Sequence, residues 1–208
     1  MKKYLVGIRS ALLFSLMMLV LCGFAYPLLL TGAAQAIFPH QANGSIVEVD
    51  GKAVGSKIVG QSFEDERFFK GRPSAVNYNT YTKEEKADGT YGGVASGSNN
   101  YAPSNPELSK RVKKDLEAFM KANPDIDKKD IPADLITASG SGLDPDITPE
   151  AAKVQIPAIA KASGLSEAEL QKIVDDNTEG KWLGVFGETR VNVLLCNVAI
   201  AQKLEILK

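Results

Sequence analysis

The chain has 208 residues, 44% hydrophobic and 24% charged, with a formal net charge of −1. That is globular composition, and the length is enough for one ordinary domain plus an anchor. The charge is unevenly placed: residues 1–36 carry Lys2, Lys3 and Arg9 with no acid, leaving 21 basic and 25 acidic residues downstream, a net of −4. A mildly acidic domain has no basic face to hold phosphates, so nucleic acid is excluded as a partner class.

Ala11 to Leu30 is an uncharged run of twenty residues, long enough as a helix to cross roughly 30 Å of hydrocarbon. It predicts a transmembrane helix over 11–31, placing 1–10 in the cytoplasm and 32–208 outside the cell membrane, because the basic residues precede the span. Ala34-Gln35-Ala36 fits a small-x-small cleavage pattern, but the apolar run is longer than a signal-peptide core. Pro27 is expected near the helix end. Cys22 falls in the span and Cys196 near the C-terminus, so no disulfide framework is expected.

Beyond a short tether, residues 45–49 and 52–54 flank Asp50-Gly51, a hairpin signal. Lys57 to Gly60 is expected to continue that sheet. Residues 71–104 read as loop, with Thr82 to Asp88 a charged, solvated excursion. Asn105-Pro106 pairs a cap with a first-turn proline, and Leu108, Val112, Leu116 and Phe119 recur at helical spacing up to Asn123-Pro124. Leu135 to Ala138 suggests a short extended segment leading into a Gly/Ser turn over 139–142. Thr148-Pro149 starts another helix, expected to break near Pro157. Ser166 to Glu169 forms a capping box with Leu165 and Leu170 at staple positions. Trp182 to Phe186 is expected as a last strand, and Val191 to Leu204 as a closing helix. The class is α+β, one N-terminal transmembrane helix followed by a single domain.

Chemistry is sparse along this chain. The lone histidine, His40, has no Cys, Asp or Glu at ligand spacing, which argues against a metal site and against a Ser-His-Asp or Cys-His arrangement. There is no Walker loop and no dinucleotide fingerprint. Ser139-Gly140-Ser141-Gly142 lacks the basic residue and helix start of a phosphate cradle, and reads as a tight turn. Asp144 and Asp146 make a poor calcium site and read as turn and capping residues. Arg72 is either an anion ligand or a structural bridge. Asn43-Gly44-Ser45 matches a glycosylation acceptor with nothing further to support it. On residues alone, this is an anchored binding or accessory domain.

Several stretches carry a resemblance. They are Gly55-Ser56 through Gly60-Gln61-Ser62-Phe63, Phe69-Lys70-Gly71-Arg72-Pro73-Ser74-Ala75, Pro103-Ser104-Asn105-Pro106, Asp134 through Pro145, Ile147-Thr148-Pro149-Glu150-Ala151-Ala152, Gln155-Ile156-Pro157, Gly187, Val191-Asn192-Val193 and Asn197. In this order they resemble the C subunits of the Kdp potassium-transporting ATPase, over nearly the whole chain. The run Ser96 to Pro103 departs from the family pattern, and the 79–93 excursion is longer than in many members. The resemblance implies a non-catalytic accessory subunit of an ATP-driven, high-affinity potassium importer in the inner membrane. Its partners would be a potassium-pathway subunit and a P-type ATPase subunit, with ATP and potassium acting in the complex. It also implies a catalytic-chaperone role, raising the ATPase subunit's affinity for ATP, with Gln155 as the matching glutamine. A domain outside the membrane cannot reach cytoplasmic ATP, so that effect is expected to be indirect. Gln155 has a structural reading too, satisfying a backbone carbonyl freed by Pro157. The alternative to the subunit reading is a stand-alone, membrane-anchored binding domain or an enzyme whose site the sequence hides.

Overall fold

The computed structural model describes residues 2–124 and 126–207. The side chains of Lys2 and Lys3, two of the three N-terminal bases, lie outside that description. The chain divides into two compact units, residues 1–46 and 47–208.

The first unit is dominated by one long helical stretch: α1 (Lys2–Val20), a π-helical turn (Leu21–Ala25) and α2 (Tyr26–Ile37). Tyr4 to Ile37, 34 residues, is long and apolar enough to cross a membrane, and none of its most apolar window is buried in the protein. The helix therefore overruns the expected 11–31 segment at both ends, and Pro27 lies inside it. Proline has no N–H for the carbonyl four residues back and its ring crowds that carbonyl, here Gly23. The turn just before it widens, so that the Tyr26 N–H bonds the carbonyl of Leu21, five residues back; a π-bulge of this kind absorbs the conflict without ending the helix. A short α3 (Pro39–Ala42) follows, carrying the exposed His40.

The second unit opens with β1 (Ile46–Val49) and β2 (Lys52–Ser56). Their two-residue connection has Asp50 at φ 50° and Gly51 at φ 74°, the doubly left-handed turn whose twist suits a hairpin. The sheet stops there. Lys57 to Gly60 turns back instead of extending it, with Ser56 bridging to Val59 and the Ser56 hydroxyl accepting from the Ile58 N–H.

Residues 71–104 are irregular apart from two short pieces. One is a 3₁₀ turn over Asn77–Asn79. The other is α4 (Lys83–Ala87), exposed throughout and capped reciprocally by Thr82 and Glu85, so the charged excursion is helical at its centre. Helix α5 (Pro106–Ala122) forms as its cap and periodicity dictate, with the Asn105 side chain accepting from the Glu107 N–H.

The core comes from the last third of the chain. Strands β3 (Asp146–Ile147), β4 (Thr178–Glu179) and β5 (Arg190–Asn192) form a three-stranded antiparallel sheet in the order β3-β5-β4. Helices α6 (Pro149–Ser163), α7 (Glu167–Asp176) and α8 (Val193–Lys203) pack as neighbours in sequence, with α6 and α8 both touching β5. Ala151, Ala152, Ile156 and Ile159 of α6, Leu170 and Val174 of α7, and Cys196 and Ile200 of α8 meet in one cluster with Phe69, Ile147 and Val191.

Four sequence expectations give way here. Leu135 to Ala138 is not extended, because Ala133–Leu135 closes a 3₁₀ turn instead. Trp182 to Phe186 is a tight turn closed by one bridge. The strand lies further on at Arg190–Asn192, so Val191 belongs to the sheet, and α8 starts only after Asn192 caps it through the Leu195 N–H. Nor does α6 break at Pro157. A proline inside a helix costs about 3 kcal/mol through the lost bond and the ring clash, but buried Ile156 and Ile159 on either side hold both halves of the helix to the same core.

Candidate functional site

Gln155 lies on the inner face of α6 and is only 4% exposed. A buried carboxamide has two donors and two acceptor sites to satisfy. Its Nε2 donates to the carbonyls of Ala151 (3.0 Å) and Lys70 (3.2 Å), and its Oε1 accepts the Lys70 N–H at 2.8 Å. The carbonyl it serves within α6 is thus that of Ala151, not the Lys153 carbonyl that Pro157 leaves without its helical donor. Toward the 61–72 segment, Gln155 behaves as a peptide group would, pairing with both polar atoms of Lys70.

One residue earlier the same device recurs. Asn197 of α8, 3% exposed, accepts the Phe69 N–H at 2.8 Å and donates to the Phe69 carbonyl at 2.9 Å. Two carboxamides from two helices thereby hold two successive residues of a segment that has no strand partner. Phe69 is pinned with its ring 1% exposed in the core. Asn192 supplies a third tie, donating to the Lys57 carbonyl and to Asp146 while its Oδ1 caps α8. Sequence reasoning assigned no role to Asn192 or Asn197. The available signal was position, since Val193, Asn197 and Ile200 share one buried helical face.

Gln155 also lines a cleft of about 830 Å³, bounded by Lys70 to Ser74, Asn77, Tyr78, the second half of α5 and the proline-containing stretch of α6. Lys70, Arg72, Lys121 and Lys161 reach it, as do Glu66 and Asp115. Two of the cations are already committed. Lys70 Nζ donates to the carbonyls of Phe63 (2.7 Å) and Asp65 (2.6 Å), and burial pulls its pKa down. Arg72 pairs with Asp144 at 3.1 Å, as a structural bridge would. The Tyr78 hydroxyl donates to the Arg72 carbonyl, and burial, reinforced by nearby Asp144, pushes that phenol up to about 12.

The Gly/Ser turn is tied to the 71–74 stretch, the Ser74 hydroxyl donating to the Gly142 carbonyl. Ser139 Oγ accepts the Gly142 N–H and Ser141 Oγ accepts the Leu143 N–H, so these amides face their own turn and not a phosphate. Gly142 sits at φ +68°, and a Cβ there would come within 2.7 Å of Val76 and 2.8 Å of the Gly97 carbonyl. Asp144 binds Arg72 and the Asp146 N–H; Asp146 binds Asn192 and, at 3.2 Å, Arg190. Both act in the turn and its ion pairs. Asn43 donates to the Pro39 carbonyl and exchanges bonds with Gln35. Cys196 is buried, and its thiol is pushed up to about 12 by that burial, a packing residue and not a nucleophile. Among the described residues, no three or more His, Cys, Asp or Glu side chains group to hold a metal. The arrangement is suited to holding a surface in shape.

A family model described as "K+-transporting ATPase, c chain" (KdpC) matches residues 8–202. The chain belongs to the KdpC family. It is 61% identical over 204 residues to the potassium-transporting ATPase KdpC subunit of Clostridium kluyveri, covering 98% of this chain and 97% of that one. With the KdpC subunit of Clostridioides difficile it shares 61% over 202 residues, covering 95% and 97%, and with that of Caldanaerobacter subterraneus 46% over 198 residues, covering 95% and 96%. Membership makes it one subunit of a potassium-transporting ATPase complex, with an accessory part in potassium transport.

The carboxamide pairing makes a sharp prediction. Replacing Gln155 with Ala strands the buried polar groups of Lys70 and should cost about 1–3 kcal/mol in a denaturant melt. Gln155→Glu keeps an acceptor for the Lys70 N–H but sets a carboxylate against two carbonyls. It should therefore be the less stable variant at neutral pH and recover as the pH falls and the carboxylate takes a proton. Equal stability of Gln155→Glu and wild type across that range would contradict the geometry.

Proposed function

We propose that the chain is a non-catalytic accessory subunit of an ATP-driven, high-affinity potassium importer, required for assembly and stability of the complex. The observation that carries this reading is the KdpC match over residues 8–202, joined to a single apolar helix suited to membrane anchoring. On the positive-inside argument from Lys2, Lys3 and Arg9, the N-terminus is cytoplasmic and the domain after the helix lies outside the inner membrane. The potassium-pathway subunit and the P-type ATPase subunit are its partners, beside the lipid around its helix.

An influence on ATP affinity then reaches the ATPase subunit through the assembled complex. Support for that indirect route comes from Gln155, whose two amide hydrogens and one of whose acceptor sites are taken by the domain's own backbone. We assign Gln155 to positioning the 69–71 segment at the cleft, a surface that partner subunits can read.

Deleting the chain should abolish growth at micromolar external potassium and leave growth at millimolar potassium unchanged, because lower-affinity uptake then suffices. Full potassium-stimulated ATP hydrolysis in a stably assembled complex lacking this chain would sink the reading. Orientation has its own check. With both native cysteines replaced, Ser98→Cys should react with a membrane-impermeant maleimide in cells whose cytoplasmic membrane is intact. Labelling that appears only after that membrane is broken would place the domain inside and restore direct contact with ATP.

A further inference from the structure

Between β4 and β5 the chain makes a hairpin that serves the fold little and exposes much. Trp182 and Phe186 bond each other's backbone in both directions, and their rings meet at a tilt with centroids 5.7 Å apart. Trp182 is 69% exposed, Leu183 72%, Val185 73% and Phe186 60%. Scattered exposed apolar residues are ordinary, but four large ones side by side on one tip mark a contact surface.

Two further observations bear on what covers it. The first is the backbone. Leu183 adopts φ 52° and Gly184 φ 73°. A left-handed position is costly for a bulky side chain, and Gly or Asn is the ordinary occupant. Leucine stands at 183 against both the local backbone preference and the preference of water, and inside the domain its side chain remains exposed. Within the tip the Gly184 N–H bonds the Lys181 carbonyl and the Val185 N–H that of Trp182.

The second observation is charge. Lys181 pairs with Glu188 across the hairpin base at 3.1 Å. Behind them Glu179 binds both Lys57 and Arg190, and Arg190 also binds Asp146. Three cations face three carboxylates, and no positive field is left over. Segments that dip aromatic residues into an anionic lipid surface combine them with unpaired Lys or Arg. A neutral apolar wedge fits a protein groove instead, in the manner of an interface anchor ringed by polar residues.

We infer that the Trp182–Phe186 tip docks into an apolar groove of another subunit of the same potassium-transporting ATPase complex. This rests on the subunit reading above. The tip makes the central contact, and the ion-paired base forms its polar rim.

The full chain, tagged and expressed with its complex in native membranes, supplies the test. A benzophenone amino acid at Val185 should, on illumination, cross-link to another subunit of the complex identified by peptide mass spectrometry. Cross-links confined to lipid or to a second copy of this chain would overturn the inference. The double variant Leu183→Asn and Val185→Asn should melt no lower than wild type, since Asn suits the left-handed position. It should retain about tenfold less of the other subunits through mild-detergent purification, the loss expected of a central anchor. Undiminished retention by that variant would also overturn it. A wild-type chain that carries no other subunit through the same purification removes the subunit reading itself, which separates the two failures.

Discussion

Buried backbone that belongs to no helix or sheet has to find hydrogen-bond partners elsewhere, and the segment around Phe69 is where this domain meets that requirement. Phe69 is central to the core, yet the residues around it have no strand beside them. Carboxamide side chains take the place of the missing strand. Asn197 pairs with Phe69 and Gln155 with Lys70, each offering a donor and an acceptor in the spacing of a peptide group. Asn79 grips the peptide groups of Ala95 in the same way, at 2.9 and 3.0 Å, inside the long loop. The domain thus replaces sheet with side-chain amides, where removing any one amide leaves two backbone groups unserved. Such ties are worth little when complete and cost much when broken.

From that fixed segment the rest of the irregular wall follows. Gly71 leads into Arg72 and Ser74, and Ser74 Oγ donates to the Gly142 carbonyl at 2.6 Å. Gly60 donates its N–H to the Leu143 carbonyl, and a Cβ on it would come within 2.4 Å of the Asp144 carbonyl. Asp144 then closes the circuit through Arg72. Close backbone approach, not active-site chemistry, therefore explains the glycines and serines that the sequence concentrates here. Asn77, Tyr78 and Asn79 all lie at positive φ. That costs roughly 1–2 kcal/mol per residue for L-amino acids, offset here by the bonds of Ser74, Thr80 and Ala95 around the turn.

Local rules made the regular elements legible. The hairpin at Asp50-Gly51, the Asn105, Thr148 and Ser166 caps, and the amphipathic α5 all depend on neighbours in sequence, and all are present as expected. What the sequence hid is non-local. Strands of two or three residues, such as β3 and β5, are too short to show alternation, and they exist because they pair with each other across 46 positions. Trp182 to Phe186 looks like a strand because its residues favour sheet, but with no strand beside it the apolar run turns back on itself and stays exposed. Pro157 and Pro27 each signal a break that packing or a π-turn overrides. At the cleft, Arg72 and Gln155 stood out by residue type. Their partners, 72 and 85 residues away, were unreadable from one chain.

A domain of this construction suits a subunit whose work is to present shape. Its cleft wall and its exposed hairpin are both held by hydrogen bonds and ion pairs. The central claim is that side-chain amides fix Phe69 and Lys70 as firmly as a strand would. Native-state amide hydrogen exchange on the intact chain tests it most directly, because a locally opening segment exchanges without global unfolding. The Phe69 and Lys70 amides should exchange as slowly as those of Ile156 and Ile200 in the core helices, opening only with the whole domain, while those of Gly92 and Gly93 exchange freely. Exchange of Phe69 and Lys70 at the rate of the 71–104 loop would contradict the account.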